Sequence, residues 1–252
     1  MNLVEITTKE IILYSFCPKL FYLKRDMKLT PSLEDYYADT LHRLMARFLF
    51  MARDGEISAK ELKMIWASSA IAQRRKHKFA YYNPVNWKSN ISEFNKKGAA
   101  AINFLLNTFP DMLGSIIAVN EIYSVKLSKD LTLTGEWDLI QENMETKEIE
   151  LVIFKEHDKL NHIPLNQDYK AVLDTIAFMR SFNSAPAKVS LQSYNSQRKV
   201  SGNISGAHIK EVLKNTISIC GAIENGTKYK YLSYKCKSCP AKQICENAEQ
   251  TV

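Results

Sequence analysis

No apolar run in this chain approaches the ~20 residues that a helix needs to cross a bilayer, which excludes a membrane bundle. The opening stretch, MNLVEITTKE, lacks the basic and apolar regions of a secretory leader. The two absences together predict a soluble, cytoplasmic protein. Internal repeats and low-complexity linkers are also missing, so no array of small modules is expected. Cysteine is too sparse for a disulfide scaffold, at five in 252 residues.

A chain of 252 residues is long enough to bury a substantial core as one large domain or two small ones. Its net charge of +7 and pI near 9.0 fit a polyanionic partner, although surface lysines also serve solubility.

Thr7 and Glu10 have the spacing of a capping box and open a helix predicted to run to about Lys24. Pro18 follows Cys17 inside that helix and is expected to break it, turning the thiol outward; a buried structural cysteine is the alternative. A second helix, from about Ser32 to Arg53, carries His42 beside Leu41, Leu44, Met45 and Phe48. That histidine is a packed core residue unless a partner for it exists elsewhere. A third helix, from Ser58 to about Lys78, ends in a basic run with Arg74, Arg75, Lys76 and Lys78. Phe79, Tyr81, Tyr82 and Trp87 follow it. Cations beside flat rings suit a single-strand platform; a solvated helix end followed by core aromatics is the other reading. A further helix from Asn90 to about Phe109 stops at Pro110, so residues 30–112 read as a helical subdomain.

Strands begin near Ile116 and lead into GEWDLIQENMETKEIELVIFK, which reads as a β-hairpin. Asp138 lies on its first strand and Lys155 ends its second. Alternation places Leu151, Ile153 and Lys155 on one face and pairs Glu136 with Asp138 on another. A helix capped by Asn161 or Asn166 comes next, then two strands (KVSLQSYN and KVSGNIS), a helix from about His208 to Ile223 carrying Cys220, and a cysteine-bearing tail. This order predicts an α/β protein with a mixed sheet and flanking helices.

Cys236-x2-Cys239-x5-Cys245 supplies three closely spaced thiolates, one short of a tetrahedral metal site or a cubane. Cys17 is the natural fourth, since Cys17-Pro18 repeats Cys239-Pro240.

An Asp on one strand and a Lys ending the next resemble the core of the PD-(D/E)XK nucleases. The early cysteine, the hairpin and the C-x2-C-x5-C tail resemble, more narrowly, the RecB-like group with CRISPR-associated, AddB-type and phage or viral members. This resemblance implies one restriction-endonuclease-like domain over 1–252, with the helical region as an insertion and 234–246 plus Cys17 as a cluster-binding region. Cys17, Cys236, Cys239 and Cys245 would hold a structural [4Fe–4S] cluster, with zinc as the alternative, and Cys220 would stand apart. The resemblance makes His42 and Asp138 ligands of Mg²⁺ or Mn²⁺, Gly135 the glycine preceding the acid by three, and Lys155 the catalytic lysine. Gln167 and a tyrosine four residues later would face DNA; here Ala171 holds that second place, and Tyr169 lies half a turn out of register.

The second metal-binding acid is missing, because Ile153 stands in its position. Isoleucine offers no lone pair to a hard cation. Glu136 is the best substitute, ahead of Glu121 and Glu156. The resemblance therefore implies a protein that binds or processes DNA ends, single-stranded or with single-stranded ends, with weakened or lost cleavage. One alternative is an active exonuclease using a relocated carboxylate. Another is a non-catalytic subunit docking on a nuclease or integrase. CRISPR adaptation, recombination or a virus would supply the setting and the protein partners.

Overall fold

The computed structural model describes residues 4–27, 33–55, 57–76, 87–108, 113–155, 164–194, 198–231, 236, 239 and 241–247. A short strand, β1 (Val4–Thr7), leads directly into helix α1 (Thr8–Phe16). The capping box forms as expected: the Glu10 amide donates to Thr7 Oγ1 at 3.1 Å, and the Thr7 amide donates to Glu10 Oε2 at 2.8 Å. The helix breaks at Cys17, whose backbone is extended, and α2 (Pro18–Met27) restarts with proline at its first position.

Three helices follow, α3 (Leu33–Arg53), α4 (Ala59–Lys76) and α5 (Trp87–Asn107). Their apolar faces meet through Leu44, Phe48, Leu62, Trp66, Phe94 and Leu105. Gly98 lets α5 lie against the Trp66 indole, which a β-carbon there would overlap.

The remaining strands are β2 (Ser115–Lys126), β3 (Leu131–Glu142), β4 (Ile149–Lys155), β5 (Lys188–Ser193) and β6 (Lys199–Gly202). The sheet order is β1-β3-β4-β5-β6, with β2 also paired to β3. The β1–β3 and β4–β5 pairs are parallel and the others antiparallel. The sheet is mixed, as the element order predicted. Helix α6 (Tyr169–Phe182) and helix α7 (Gly206–Glu224) cover one face, packing with α1 on Leu133, Trp137, Leu151 and Ile153. Helices α3 to α5 cover the other through Val119, Leu139, Val152 and Phe154. A last short helix, α8 (Lys242–Asn247), carries Cys245.

Two details of β3 position the site. Its edge pairs with β1 from Leu131 to Thr134 and with β4 from Leu139 to Glu142, so residues 135–138 face neither strand. On its other edge, Asn120 lies opposite Asp138 in a left-handed conformation (φ 48°), and the pairing skips these two residues. Asn tolerates that conformation better than most residues. The side-chain alternation reverses across the irregularity. Trp137 faces α6, while Leu139, two residues on, faces α3.

The sequence reading missed β1, whose four residues, VEIT, alternate but are too few to stand out beside the helix they lead into. It also assigned the cap of α6 to Asn161 or Asn166. The capping oxygen belongs to Asp168, whose Oδ1 accepts the Ala171 amide at 3.0 Å; Asn161 lies outside the described residues.

Candidate metal centre

The stretch 135–138 forms a notch between β1 and β4, and the polar groups of three layers converge there. From α3, His42 Nε2 stands 2.9 Å from Glu136 Oε1 and Nδ1 stands 3.0 Å from the Tyr194 hydroxyl. A carboxylate only accepts, so Nε2 carries the proton on the Glu136 side. The bond from His42 holds the Glu136 carboxyl below its usual range, against the opposing effect of burial. Tyr194 is itself fixed by stacking on Phe154, with ring centroids 5.4 Å apart.

Asp138 is only 3% exposed. The open β3–β4 edge gives it a backbone partner: the Phe154 amide donates to its Oδ2 at 2.9 Å. One ligand atom each from His42, Glu136 and Asp138 lie within 4.8 Å of one another. Imidazole nitrogen with two carboxylates suits a divalent ion such as Mn²⁺ or Mg²⁺, and Tyr194 supplies the outer partner that orients a metal-binding histidine. Metal binding there would displace the Nε2 proton. These residues fit the ion.

From the α6 side, Lys170 reaches into the same notch. Its ammonium donates to Asp174 Oδ2 at 2.7 Å and to the Glu136 carbonyl at 2.8 Å, and lies 3.3 Å from Asp138 Oδ1. Burial works against its charge, but Asp138 and Asp174 outweigh that and raise its pKa. Burial pushes the Asp174 carboxyl up, an effect partly offset by the Lys170 ammonium. The Tyr123 hydroxyl donates to Asp174 Oδ1 at 2.8 Å and meets Thr8 Oγ1 at 2.7 Å. Burial, followed by the charge of Asp174, pushes the Tyr123 phenol up. Gly135 lies beneath this chain: a β-carbon there would overlap the Tyr123 hydroxyl and come within 2.7 Å of Thr8 Oγ1.

Lys155 ends β4 with its ammonium 2.6 Å from Asp168 Oδ2. Ile153 is 1% exposed in the apolar layer beneath α6, with Leu151 and Ile176. Glu121 is exposed on β2 opposite Trp137, and Glu156 lies outside the described residues. Gln167 is exposed in the 3-10 turn Leu165–Gln167, and Tyr169 packs half-buried against the core beneath α6. Arg74, Arg75 and Lys76 occupy the last turn of α4, while Lys78 and the aromatics at 79–82 lie outside the described residues.

Lys170 and Asp174 escaped the sequence reading. Their signal is an i,i+4 Lys–Asp pair on α6 with Asp174 set in an otherwise uncharged, buried run from Ala171 to Phe178.

The cysteines divide by environment. Cys220 is buried on α7 and its thiol is pushed up to about 11, chiefly by burial. Cys17, Cys236, Cys239 and Cys245 are half-buried. Lys19, two residues beyond Cys17, ties the tail down: its amide donates to the Tyr229 carbonyl at 3.1 Å and its ammonium to the Cys245 carbonyl at 3.4 Å. The Cys239 amide closes a turn on the Cys236 carbonyl at 3.3 Å. Among the described residues these thiols form no group of three at single-ion spacing.

A six-stranded mixed sheet lies between helical layers, with acids and a histidine gathered at a break in one strand's pairing. The chain belongs to the PD-(D/E)XK nuclease superfamily, whose family model matches residues 5–246. A solved structure described as "Crystal structure of SSO0001" is similar at 12% identity, covering 96% of this chain and 86% of that one with a TM-score of 0.39. No curated protein matches the chain. Among the described residues, no helix is long and apolar enough to cross a membrane.

Proposed function

We propose that this protein binds and processes DNA ends on a RecB-like nuclease scaffold, with hydrolysis weakened by the missing second acid. The observation that carries this is the convergence of His42, Glu136 and Asp138 within 4.8 Å. Glu136 takes over for the acid replaced by Ile153, acting from β3 rather than β4. A bound Mg²⁺ or Mn²⁺ would supply an activated water and offset charge building on the scissile phosphate.

The chain's own residues set the limits of that chemistry. Asp138 already accepts from the Phe154 amide and faces Lys170, which leaves it fewer lone pairs for an ion. Lys155, paired with Asp168, must exchange that partner for a phosphate to act on substrate. Both features support slow rather than efficient cleavage. The +7 charge favours a polyanion, and Arg74, Arg75, Lys76 and Lys78 are the basic run proposed to hold its phosphates, with Gln167 and Tyr169 at the start of α6.

The spacing Cys236-x2-Cys239-x5-Cys245, with Cys17 as the fourth thiol, is the ground for proposing a [4Fe–4S] cluster as the second prosthetic group. A cubane spreads its thiolates over several irons, whereas zinc gathers all four on one ion. The cluster is the reading proposed, and zinc is the alternative. CRISPR adaptation or recombination proteins are the proposed partners.

The test is cleavage of end-labelled single- and double-stranded DNA by anaerobically prepared protein in Mn²⁺, beside Asp138→Asn and Glu136→Gln. Slow cutting by the wild type is expected, reduced by about 10²-fold or more in each variant, the scale of a lost metal-site interaction. DNA left intact by the wild type in Mn²⁺ would sink the catalytic part of this reading. Equal cutting by wild type and Glu136→Gln would sink the role given to Glu136.

A further inference from the structure

The Lys170 ammonium sits in a cage made wholly of oxygen: Asp174 Oδ2 at 2.7 Å, the Glu136 carbonyl at 2.8 Å and Asp138 Oδ1 at 3.3 Å. Carboxylate and carbonyl oxygens are the donors that hard divalent cations prefer. The cage is braced from behind, since Tyr123 donates to the other oxygen of Asp174 and the Phe154 amide to the other oxygen of Asp138. It shares Asp138 with the His42–Glu136–Asp138 group. Two cation positions thus flank one carboxylate, an arrangement otherwise met in two-metal sites.

We propose that Lys170 is a built-in cation occupying the second of these positions, so that the notch accepts one divalent ion where its oxygens would hold two. The inference rests on the metal-binding reading of His42, Glu136 and Asp138, and adds what limits the number of ions. Charge supports it. Asp138 and Asp174 bring two negative charges into the interior and Lys170 returns one positive. Without the ammonium the cage would be an uncompensated buried pair of carboxylates, which is strongly unfavourable unless a proton or another cation enters. Because lysine is tethered to α6, its charge cannot exchange with solution. The site keeps one cation under all ionic conditions and recruits the other.

The experiment is titration of the metal-free full chain with Mn²⁺, with free ion read by electron paramagnetic resonance. Wild type is compared with Lys170→Ser, Lys170→Met and Lys170→Ser/Asp174→Asn. Serine empties the cage and admits an ion, whereas methionine fills it with an apolar stem. Lys170→Ser is expected to bind one ion more per chain than wild type, and the double variant to lose that ion. Mn²⁺ should also raise the melting temperature of Lys170→Ser more than that of Lys170→Met. Equal stoichiometry in wild type and Lys170→Ser, with equal thermal shifts, would overturn the proposal. Should Lys170→Ser be unfolded without metal, folding on addition of Mn²⁺ supports it and continued unfolding in saturating Mn²⁺ overturns it. Wild type binding no Mn²⁺ while Lys170→Ser gains one would discard the His42–Glu136–Asp138 site and keep this inference. One ion in each would do the reverse.

Discussion

Gly135 has no side chain because two hydroxyls already occupy the space. Tyr123 and Thr8 meet over it at 2.7 Å, and Tyr123 passes the contact on to Asp174. Gly135→Ala should force that chain apart and cost about 1–3 kcal/mol, the usual penalty for overpacking a closed site. Urea unfolding measures it. Adding Tyr123→Phe, which removes one of the overlapping oxygens, should recover part of the loss; strict additivity of the two changes would contradict the steric account. At this scale the sequence was legible where chemistry is carried by residue type and register. His42, Glu136 and Asp138 could be read because their types are metal ligands and a hairpin fixed where two of them sit. Lys170 was missed: its i,i+4 pairing with Asp174 was visible, but the break in strand pairing that lets it reach β3 was not. Ile153 was legible as a missing acid, but its place in the apolar layer needed the packing.

Among the elements, strands β3, β4, β5 and β6 are cross-braced at the end of the sheet away from the notch. Glu150 on β4 accepts from Gln141 on β3 at 2.7 Å and from Ser190 on β5, and its Oε1 is 2.8 Å from Lys199 Nζ on β6. Burial opposes the Glu150 charge, yet these donors outweigh it and hold the carboxyl below its usual range. A lowered folded pKa gives stability that is present above the unfolded value and lost as pH falls through the folded one. Glu150→Gln should therefore melt below wild type at neutral pH, by about 1–3 kcal/mol for charged hydrogen bonds. The gap should narrow as pH falls below the ordinary glutamate value of about 4.3 and through the lower folded one, since the unfolded carboxyl protonates first. A gap independent of pH would assign the brace to packing alone. Helices and long strands were readable in the sequence because periodicity over ten or more residues is a strong signal. β1 was not: four residues are too few to show a period, and its register is set by β3, more than a hundred residues away.

At the scale of the molecule, α1 and α2 pack on the end of α7 through Tyr14, Phe21 and Tyr22 against Ile219 and Ile223. Tyr14 donates to the Thr227 carbonyl at 3.0 Å and Tyr22 to the Ile223 carbonyl at 2.9 Å. These contacts bring the segment after α7 beside Cys17. Protein purified without oxygen should be brown, with broad visible absorption bleached by air, and Cys17→Ser or Cys239→Ser should be colourless. Stoichiometric zinc in a colourless wild type would replace the cluster by a single ion.

Helix α1 has Thr8 at its first position and stops at Cys17. Thr8 belongs to the polar chain behind the notch and Cys17 to the cysteine group, so the two chemical centres sit at opposite ends of one short rod, about 14 Å long at 1.5 Å per residue. A movement of the rod along its length at Cys17 would carry Thr8 with it and change its 2.7 Å contact with Tyr123. On the reading proposed for the tail, a change at the cysteines would then alter how Tyr123 braces Asp174 beside the notch.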